Sequence, residues 1–121
     1  MGKTALIVDD STSMRQMVGF TLRESGFTVL EGENGKDALG KLDGAAVQII
    51  ITDLNMPVMD GITFIKEVRT RPAHRFTPIL MLTTESQDAS KQAGKAAGAT
   101  GWLVKPFDPE RLLQVVQKVL P

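Results

Sequence analysis

The sequence predicts an α/β fold, a doubly wound parallel sheet of five strands with five helices distributed over its two faces. Short apolar runs alternate along the chain with segments of helical periodicity, and no repeat or low-complexity tract interrupts this alternation. The apolar runs are mostly continuous, which is typical of strands that are buried on both faces. The five expected strands are residues 5–8, 27–30, 47–52, 78–83 and 101–104.

Four of the expected helices have both an N-terminal signal and an apolar face. The expected N-terminal residues are Ser11 or Thr12 for the first helix, Asn34 for the second, Asp60 for the third and Asp108, followed by Pro109, for the last. Gly26 is expected to end the first helix. Apolar side chains at helical spacing are expected to face the core: Met14, Met17, Val18 and Leu22, then Ala38 and Leu42, then Ile62, Ile65 and Val68, and finally Leu112, Val116, Val119 and Leu120.

The remaining helix, between Thr83 and Gly101, differs from the others because its segment contains no Val, Ile, Leu, Met or aromatic residue. Alanine buries little apolar area, and Gly94 costs about 1 kcal/mol in a helix interior relative to alanine. We therefore expect this helix to be the most weakly held, either because alanines allow close packing or because mobility is functional. The residues expected to face the core are Ala89, Ala93, Ala96 and Ala97.

The composition favours a single domain and excludes several classes of site. We expect residues 1–121 to form one domain, because this length suits one hydrophobic core. The 14 basic and 14 acidic side chains cancel, so the chain as a whole has no electrostatic attraction to nucleic acid or to an anionic membrane. Without cysteine and with one histidine, disulfides and His/Cys metal clusters are excluded. No apolar run approaches the roughly 20 residues of a membrane span, so we expect a cytoplasmic protein.

Three carboxylates follow expected strands, Asp9 and Asp10 after the first and Asp53 after the third. In an open parallel sheet, ligands bind at the carboxyl ends of the strands, so adjacent first and third strands would bring these side chains together. Like charges at short range destabilise one another unless a cation neutralises them, and carboxylate oxygens are ligands of Mg²⁺. The pattern favours a magnesium site over three separately solvated aspartates.

A hydroxyl and an amine stand at the ends of two further strands. Thr83 ends the fourth expected strand, and Lys105 follows the fifth. Carboxylate, metal ion, ammonium and hydroxyl together suit phosphoryl transfer, which needs cations and hydrogen-bond donors around the phosphoryl oxygens. An aspartate can act as the nucleophile and form an acyl phosphate. Lys105 alone would be an ordinary surface lysine, and only its combination with the other groups indicates this chemistry.

These residues lie in four motifs through which the whole chain resembles the receiver domain of two-component response regulators. The motifs are LIVDDSTSMR, IITDLNMPVMDG, MLTTE and GWLVKPF, and they occur in the order and at the spacing typical of the family. The chain is similar throughout to the stand-alone chemotaxis regulators of this family. The resemblance implies a flavodoxin-like sheet with the strand order 2-1-3-4-5.

The resemblance also implies a role for each carboxylate. It identifies Asp53 as the phosphate acceptor, and it implies that Asp10, Asp53 and the backbone carbonyl of Asn55 bind Mg²⁺ while Asp9 supports the ion through water. The side chains of Asn55 and Glu85 shape the access of water to an acyl phosphate. Because both are polar, we expect the phosphorylated protein to lose its phosphate within seconds to minutes.

The same resemblance assigns roles at the fourth and fifth strands. Thr83 and Lys105 would bind phosphoryl oxygens, and Trp102 occupies the position of an aromatic residue that turns inward when Thr83 moves toward the phosphate. The usual residue there is tyrosine or phenylalanine, and the indole of Trp102 is larger. The peptide bond between Lys105 and Pro106 corresponds to a cis bond of the family, in the X-Pro context where cis costs only about 0.5–1 kcal/mol.

The receiver resemblance implies a histidine kinase as phosphodonor and a protein target that recognises the surface of helix 4, strand 5 and helix 5. The target could be a component of the flagellar motor switch, and a phosphatase partner is compatible with the same role. We expect a monomer that is not an enzyme, since only self-phosphorylation and self-dephosphorylation are implied. A phosphorelay intermediate remains an alternative. A receiver excised from a longer regulator is less favoured, because the chain opens with its own methionine.

Two proteins of other classes use related features. An FMN-binding flavodoxin-like protein would share the fold, but Asp9 and Asp10 would repel its phosphate, and a colourless purified protein would dismiss it. A haloacid-dehalogenase-type phosphatase needs two aspartates separated by one residue, whereas these two are adjacent.

The basic residues Arg69, Arg71, His74 and Arg75 are interpreted as a solvated face rather than an anion site.

Overall fold

The structure is a computed structural model that describes residues 2–84 and 88–120. Its strands are β1 (Thr4–Val8), β2 (Thr28–Gly32), β3 (Ile49–Asp53), β4 (Ile79–Thr83) and β5 (Gly101–Val104). Its α-helices are α1 (Thr12–Glu24), α2 (Gly35–Leu42), α3 (Gly61–Arg69), α4 (Asp88–Ala97) and α5 (Pro109–Val119), and a 3₁₀ turn covers Pro72–His74. No helix in the described ranges combines the length and the apolarity needed to cross a membrane.

All four pairings in the sheet are parallel, and the strand order is β2-β1-β3-β4-β5. Successive residues of a strand point to opposite faces, so the sheet has a core on each side. Leu6 and Val8 of β1 belong to the core beneath α2 and α3, whereas Ala5 and Ile7 belong to the core beneath α1 and α5. The predicted fold class and strand order are confirmed.

The predicted helix starts are confirmed by side-chain caps. In each case a side-chain oxygen accepts a hydrogen bond from the backbone N–H three residues later, which satisfies one of the free donors of the first turn. The pairs are Ser11 with Met14 (3.2 Å), Asn34 with Asp37 (2.8 Å), Asp60 with Thr63 (2.8 Å) and Asp108 with Arg111 (2.7 Å). Ser11, rather than Thr12, therefore caps α1.

The expectation that four alanines of α4 face the core is wrong for three of them. The buried residue of α4 is Gly94, and a Cβ at that position would lie 1.9 Å from the Sδ of Met81. The backbone of α4 thus packs directly on the side chain of Met81, and a side chain at position 94 would overlap with it in its present rotamer. Of the four alanines, Ala97 is partly buried against the core, and the exposed ones are Ala89, Ala93 and Ala96.

The core of α3 also differs from its predicted stripe. Ile65 and Val68 are fully buried as expected, but Ile62 is only partly buried. Phe64 takes the additional place and is among the largest fully buried side chains. The predicted stripe of α5 is buried at Leu112 and Val116 and partly buried at its C-terminal end.

The interpretation of the basic segment after α3 as a solvated face is wrong for two of its residues. Arg69 donates to the carbonyl of Gly98 through Nε (3.0 Å) and Nη2 (2.7 Å), and Nη1 donates to the carbonyls of His74 (3.0 Å) and Thr77 (2.7 Å). Its burial lowers the pKa of the guanidinium. Arg69 therefore connects the C-terminal ends of α3 and α4 with the turn that precedes β4.

His74 is buried, and its Nε2 accepts a hydrogen bond from the backbone N–H of Val47 (3.4 Å). Burial lowers the pKa of the imidazole; the charge of Arg71 acts in the same direction, and that of Asp43 opposes it. The folded protein therefore binds fewer protons than the unfolded chain below about pH 6.5, the ordinary pKa of histidine. Stability contributed by neutral His74 is present above this pH and is lost as the pH falls.

We expect the free energy of unfolding to fall more steeply in the wild type than in His74→Gln as the pH drops below about 6.5. The glutamine can still accept a hydrogen bond but does not titrate, and all carboxylates are common to both proteins. Urea unfolding at several pH values measures this difference. Parallel pH profiles for the two proteins would show that His74 does not contribute.

Candidate functional site

A cluster of three carboxylates lies at the carboxyl end of the sheet. β1 and β3 are neighbours with Val8 opposite Thr52, so the residues that follow them meet at the same edge. Asp9, Asp10 and Asp53 each place one carboxylate oxygen within 4.8 Å of the others. The three aspartates singled out in the sequence are thus brought together, with Asp9 buried, Asp53 partly buried and Asp10 exposed.

Asp9 is the most enclosed member of the cluster, with 1% of its surface exposed. Its backbone N–H donates to the carbonyl of Gly32 at the end of β2 (3.1 Å), and its Oδ1 accepts from the backbone N–H of Ser11 (2.9 Å). Its Oδ2 is buried and has no hydrogen-bond partner within the described part of the chain. A buried carboxylate oxygen without a hydrogen-bond donor destabilises the fold, so this atom is suited to bind a ligand or an ordered water.

The pKa of Asp9 is raised, chiefly because burial disfavours its charged form. The charges of Asp53 and Asp10 raise it further, while the hydrogen bond from Ser11 and the charge of Lys105 lower it. The cluster therefore holds its negative charge at an energetic cost. A cation among the three carboxylates would offset that cost and favour the ionised form of Asp9.

Asp53 ends β3, and its Oδ1 has two neighbouring N–H groups. Its Oδ1 accepts a hydrogen bond from the backbone N–H of Leu54 (2.8 Å) and lies 3.5 Å from the Nζ of Lys105. The same Nζ lies 3.9 Å from Oδ2 of Asp9, so one ammonium faces two carboxylates of the cluster. Lys105 thus lies at the acidic cluster, and its ammonium is close enough to Asp53 to contact an anion bound there.

Thr83 ends β4 and is completely buried. Among the described residues, its hydroxyl oxygen has no hydrogen-bond partner, while its backbone carbonyl accepts from the N–H of Lys105 (2.6 Å). The peptide bond between Lys105 and Pro106 is cis. An unpaired hydroxyl beside the acidic cluster is a free donor for an incoming oxygen.

The loop after β3 carries the remaining expected ligand. Asn55 lies two residues after Asp53 with its side chain exposed, and further along Val58 has a φ of 70°, an uncommon left-handed conformation for a branched residue. Glu85, expected to shape water access together with Asn55, lies outside the described residues.

Gly61 is a residue of this site that the sequence analysis did not single out. Its N–H donates to the carbonyl of Leu54 (2.9 Å), and a Cβ at this position would lie 2.3 Å from the carbonyl oxygen of Asp53. The loop between β3 and α3 can therefore fold back tightly only without a side chain here. The signal was the Asp60-Gly61 pair at the expected start of α3.

Trp102, on β5, is not enclosed by the protein: 39% of its surface is exposed. The ammonium groups of Lys95 and Lys91 on α4 lie 5.4 Å and 5.8 Å from the centroid of its ring. These distances are within the range of cation–π attraction, which at exposed sites contributes about 0.5–1 kcal/mol. The indole in this structure thus packs beneath α4 at the surface.

The donor set of the cluster fits a hard divalent cation. Mg²⁺ prefers carboxylate and carbonyl oxygens together with retained water, and the buried Oδ2 of Asp9 supplies an acceptor that has no hydrogen-bond donor among the described residues. In the same part of the chain, no sulfur or imidazole ligand accompanies the three aspartates. Asp9, Asp10 and Asp53 are therefore the residues able to hold such an ion.

Three comparisons identify relatives of the chain. Residues 5–117 match the family described as the response regulator receiver domain. Chemotaxis protein CheY1 of Helicobacter pylori is 41% identical over 117 residues, 95% of this chain and 94% of CheY1, and a CheY homologue of Campylobacter jejuni is 39% identical over the same length. The structure of chemotaxis response regulator CheY4 of Vibrio cholerae has a TM-score of 0.94 and 53% identity, covering 99% of this chain and 100% of that one. The chain belongs to the response-regulator receiver family and is similar over nearly its whole length to CheY-type chemotaxis regulators.

Proposed function

We propose that the protein is the phosphoacceptor switch of a two-component system and that Asp53 receives the phosphoryl group. The observation that carries this proposal is the position of Asp53 between two further carboxylates and the ammonium of Lys105 at the carboxyl end of the sheet. Such a site offers a nucleophilic oxygen together with ligands for a cation and a donor for phosphoryl oxygens. It is the arrangement that phosphoryl transfer requires.

In the proposed reaction, a carboxylate oxygen of Asp53 attacks the phosphorus of a phosphohistidine on a kinase or of a small acyl phosphate. A P–O bond to Asp53 forms as the bond from phosphorus to the donor breaks, and the leaving group takes the electron pair. Asp10, Asp53 and the carbonyl of Asn55 would hold Mg²⁺ with Asp9 acting through water, and the ion supplies positive charge to the phosphoryl oxygens. Lys105 adds charge beside Asp53.

The test is exposure of the purified protein to acetyl phosphate followed by intact-mass measurement. We expect a mass increase of one phosphate that requires Mg²⁺, survives acid and is removed by hydroxylamine, as an acyl phosphate would be. Peptide mapping should place the label at the end of β3. A label that forms equally well in excess EDTA, or one that resists hydroxylamine, would contradict the proposal.

The cellular role proposed here is in chemotaxis. Support comes from the similarity to whole chemotaxis regulators, since this chain covers 94% of CheY1 and 100% of CheY4. We propose a histidine kinase as the donor, a protein such as a flagellar motor switch component as the target, and a phosphatase as a further partner. The protein would act in the cytoplasm as a monomer, and its chemistry would be limited to its own phosphorylation and dephosphorylation.

The switch is proposed to run from Asp53 through Thr83 to Trp102. A phosphoryl group adds roughly −1.5 to −2 charge at Asp53, which should attract the Lys105 ammonium and the unpaired hydroxyl of Thr83. Movement of Thr83 would open space beside β5, and the indole could leave its exposed position for this space. A target that prefers the rearranged surface of α4, β5 and α5 would by linkage favour the phosphorylated state.

The expected result is a change in the fluorescence of Trp102, the only tryptophan of the chain, when beryllofluoride and Mg²⁺ bind. The indole would leave its two neighbouring lysines, so its emission should shift. Asp53→Asn should show no change, and Thr83→Ala should bind beryllofluoride without the emission change. If beryllofluoride binds stoichiometrically while emission and amide exchange in α4 stay constant, the proposed path is wrong although the phosphorylation site stands.

A further inference from the structure

Arg15, on the first turn of α1, joins three segments around the acidic cluster. Its Nη1 donates to the backbone carbonyl of Asp9 (2.6 Å), and its Nε donates to Oε1 of Glu31 on β2 (3.2 Å). A third and longer bond runs from Nη2 to the hydroxyl of Thr12 (3.4 Å). Its side chain is only 15% exposed, so the guanidinium is held in place rather than free in solvent.

The bond to Asp9 acts on the peptide unit that leads into Asp10. Because a peptide unit is planar, the direction of its carbonyl fixes the orientation of the whole unit and hence the position of the next Cα. The Asp9 N–H is held by the carbonyl of Gly32 (3.1 Å), and the Asp9 carbonyl is held by Arg15. The backbone of Asp9 is thus held on both sides, which fixes the points from which the side chains of Asp9 and Asp10 extend toward the cluster.

Glu31 in turn fixes the orientation of Arg15. Its Oε1 accepts from Nε of Arg15, and its Oε2 lies 3.3 Å from Nη2 of Arg23, which is about two helical turns further along α1. The side chain of Arg23 is 50% exposed and pairs with Glu31. Arg15 and Arg23 therefore share a helix, a charge and a partner, but the hydrogen bond to the carbonyl of Asp9 comes from Arg15.

We propose that Arg15 is a positioning residue for the cation site, acting by holding the Asp9 carbonyl so that Asp9 and Asp10 face the ion. The inference rests on the proposed function, in which these carboxylates bind Mg²⁺. Within the described ranges, the side chain of Arg15 bonds to a carbonyl, a hydroxyl and Glu31 and to no carboxylate of the cluster. Glu31, which Arg15 shares with Arg23, offsets part of its charge, and the contact through which Arg15 reaches the cluster is the hydrogen bond to the Asp9 carbonyl.

The variant that tests this is Arg15→Lys, which keeps the charge but cannot contact two acceptors with a planar fork. Arg23→Lys is the matched control, since it makes the same exchange against the same Glu31. Isothermal titration calorimetry with MgCl₂ measures the dissociation constant directly, and acetyl phosphate labelling at a series of Mg²⁺ concentrations measures the half-saturating concentration and the saturated rate. Urea unfolding checks that each variant is folded.

For Arg15→Lys we expect the Mg²⁺ dissociation constant to rise on the order of tenfold, the effect typical of losing a residue that orients a metal ligand. The half-saturating Mg²⁺ concentration should rise equally, with the saturated labelling rate near that of the wild type. Arg23→Lys should leave all three values unchanged. If Arg15→Lys does not fold, Glu31→Gln provides the same test, because it keeps the arginine but weakens the ion pair that orients its guanidinium.

Equal dissociation constants for the wild type and Arg15→Lys would overturn the inference, as would equal increases in the two lysine variants. A lower saturated rate with unchanged Mg²⁺ affinity would also overturn it, because Arg15 would then act in the reaction itself. A wild type that binds Mg²⁺ but takes no label would refute the proposed function alone, and the calorimetry would still decide the role of Arg15. A wild type that binds no Mg²⁺ would refute both.

Discussion

Replacing Asp53 by asparagine is expected to abolish the phosphoryl label from acetyl phosphate. The amide of asparagine lacks the charged nucleophilic oxygen that forms the acyl phosphate, although it has nearly the same size. The fold should persist, because the amide oxygen can still accept the hydrogen bond from the N–H of Leu54. Removing one negative charge from a crowded acidic cluster should not destabilise the protein. Intact-mass measurement after labelling gives the result directly.

The matched control is Asp60→Asn, the same exchange at another aspartate near the site. The side chain of Asp60 caps α3 through the N–H of Thr63, and asparagine is an equally good cap. This variant should be labelled like the wild type. Retention of the label in Asp53→Asn, mapped to another aspartate, would move the nucleophile within the cluster. Loss of the label in both variants would indicate a general disturbance of the loop.

Gly61→Ala is expected to lower the free energy of unfolding by about 2–3 kcal/mol, the upper part of the range for overpacked sites. The added Cβ would lie 2.3 Å from the carbonyl oxygen of Asp53 and 2.8 Å from the Cα of Leu54. Both neighbours are backbone atoms, so no change of rotamer can relieve the overlap. The loop that carries Asp53 must move, and phosphorylation should slow as well. Urea unfolding measures the loss of stability.

Gly40→Ala provides the contrast. Gly40 lies inside α2, and a Cβ there would have no atom within 4 Å. Alanine is the better helix former, so this variant should gain about 0.5–1 kcal/mol. Gly61→Ala and Gly40→Ala thus make the same chemical change with opposite expected signs. Equal stabilities of the two variants would show that the close approach at Gly61 is relieved without cost.

The layout of the fold could be predicted from the sequence because local signals and the buried pattern agree. Capping residues such as Asn34 and Asp108 act within four residues, so their effect is visible in sequence. The continuous apolar strands indicated a sheet covered on both sides. Strand bounds were less exact, since β3 begins at Ile49 and not at residue 47. Where hydrogen bonding begins depends on the neighbouring strand rather than on composition.

The acidic cluster could also be predicted, because parallel strands bring their carboxyl ends to one edge. What the sequence did not indicate were contacts between distant segments. Gly94 looked unfavourable in a helix, yet its backbone packs directly on the side chain of Met81, thirteen residues earlier on β4. Arg69 and His74 looked like solvated charges, yet Arg69 is partly buried and bonded to Gly98, and His74 is buried and bonded to Val47, both distant in the chain. Such roles depend on tertiary neighbours that no local pattern contains.

In the part of the chain that the structure describes, hydrogen bonds from Arg69 anchor the C-terminal end of α4. Arg69 holds the carbonyl of Gly98 just beyond the C-terminus of α4, while the middle of the helix rests on Met81, whose unbranched thioether adapts its shape readily. The ten residues of α4 span about 15 Å. Any tilt about this C-terminal end would therefore displace Asp88 the most. It would also move Lys91 relative to Trp102 by a larger distance than it moves Lys95. The distance from the indole ring to the ammonium of Lys91 would then change more than the distance to the ammonium of Lys95.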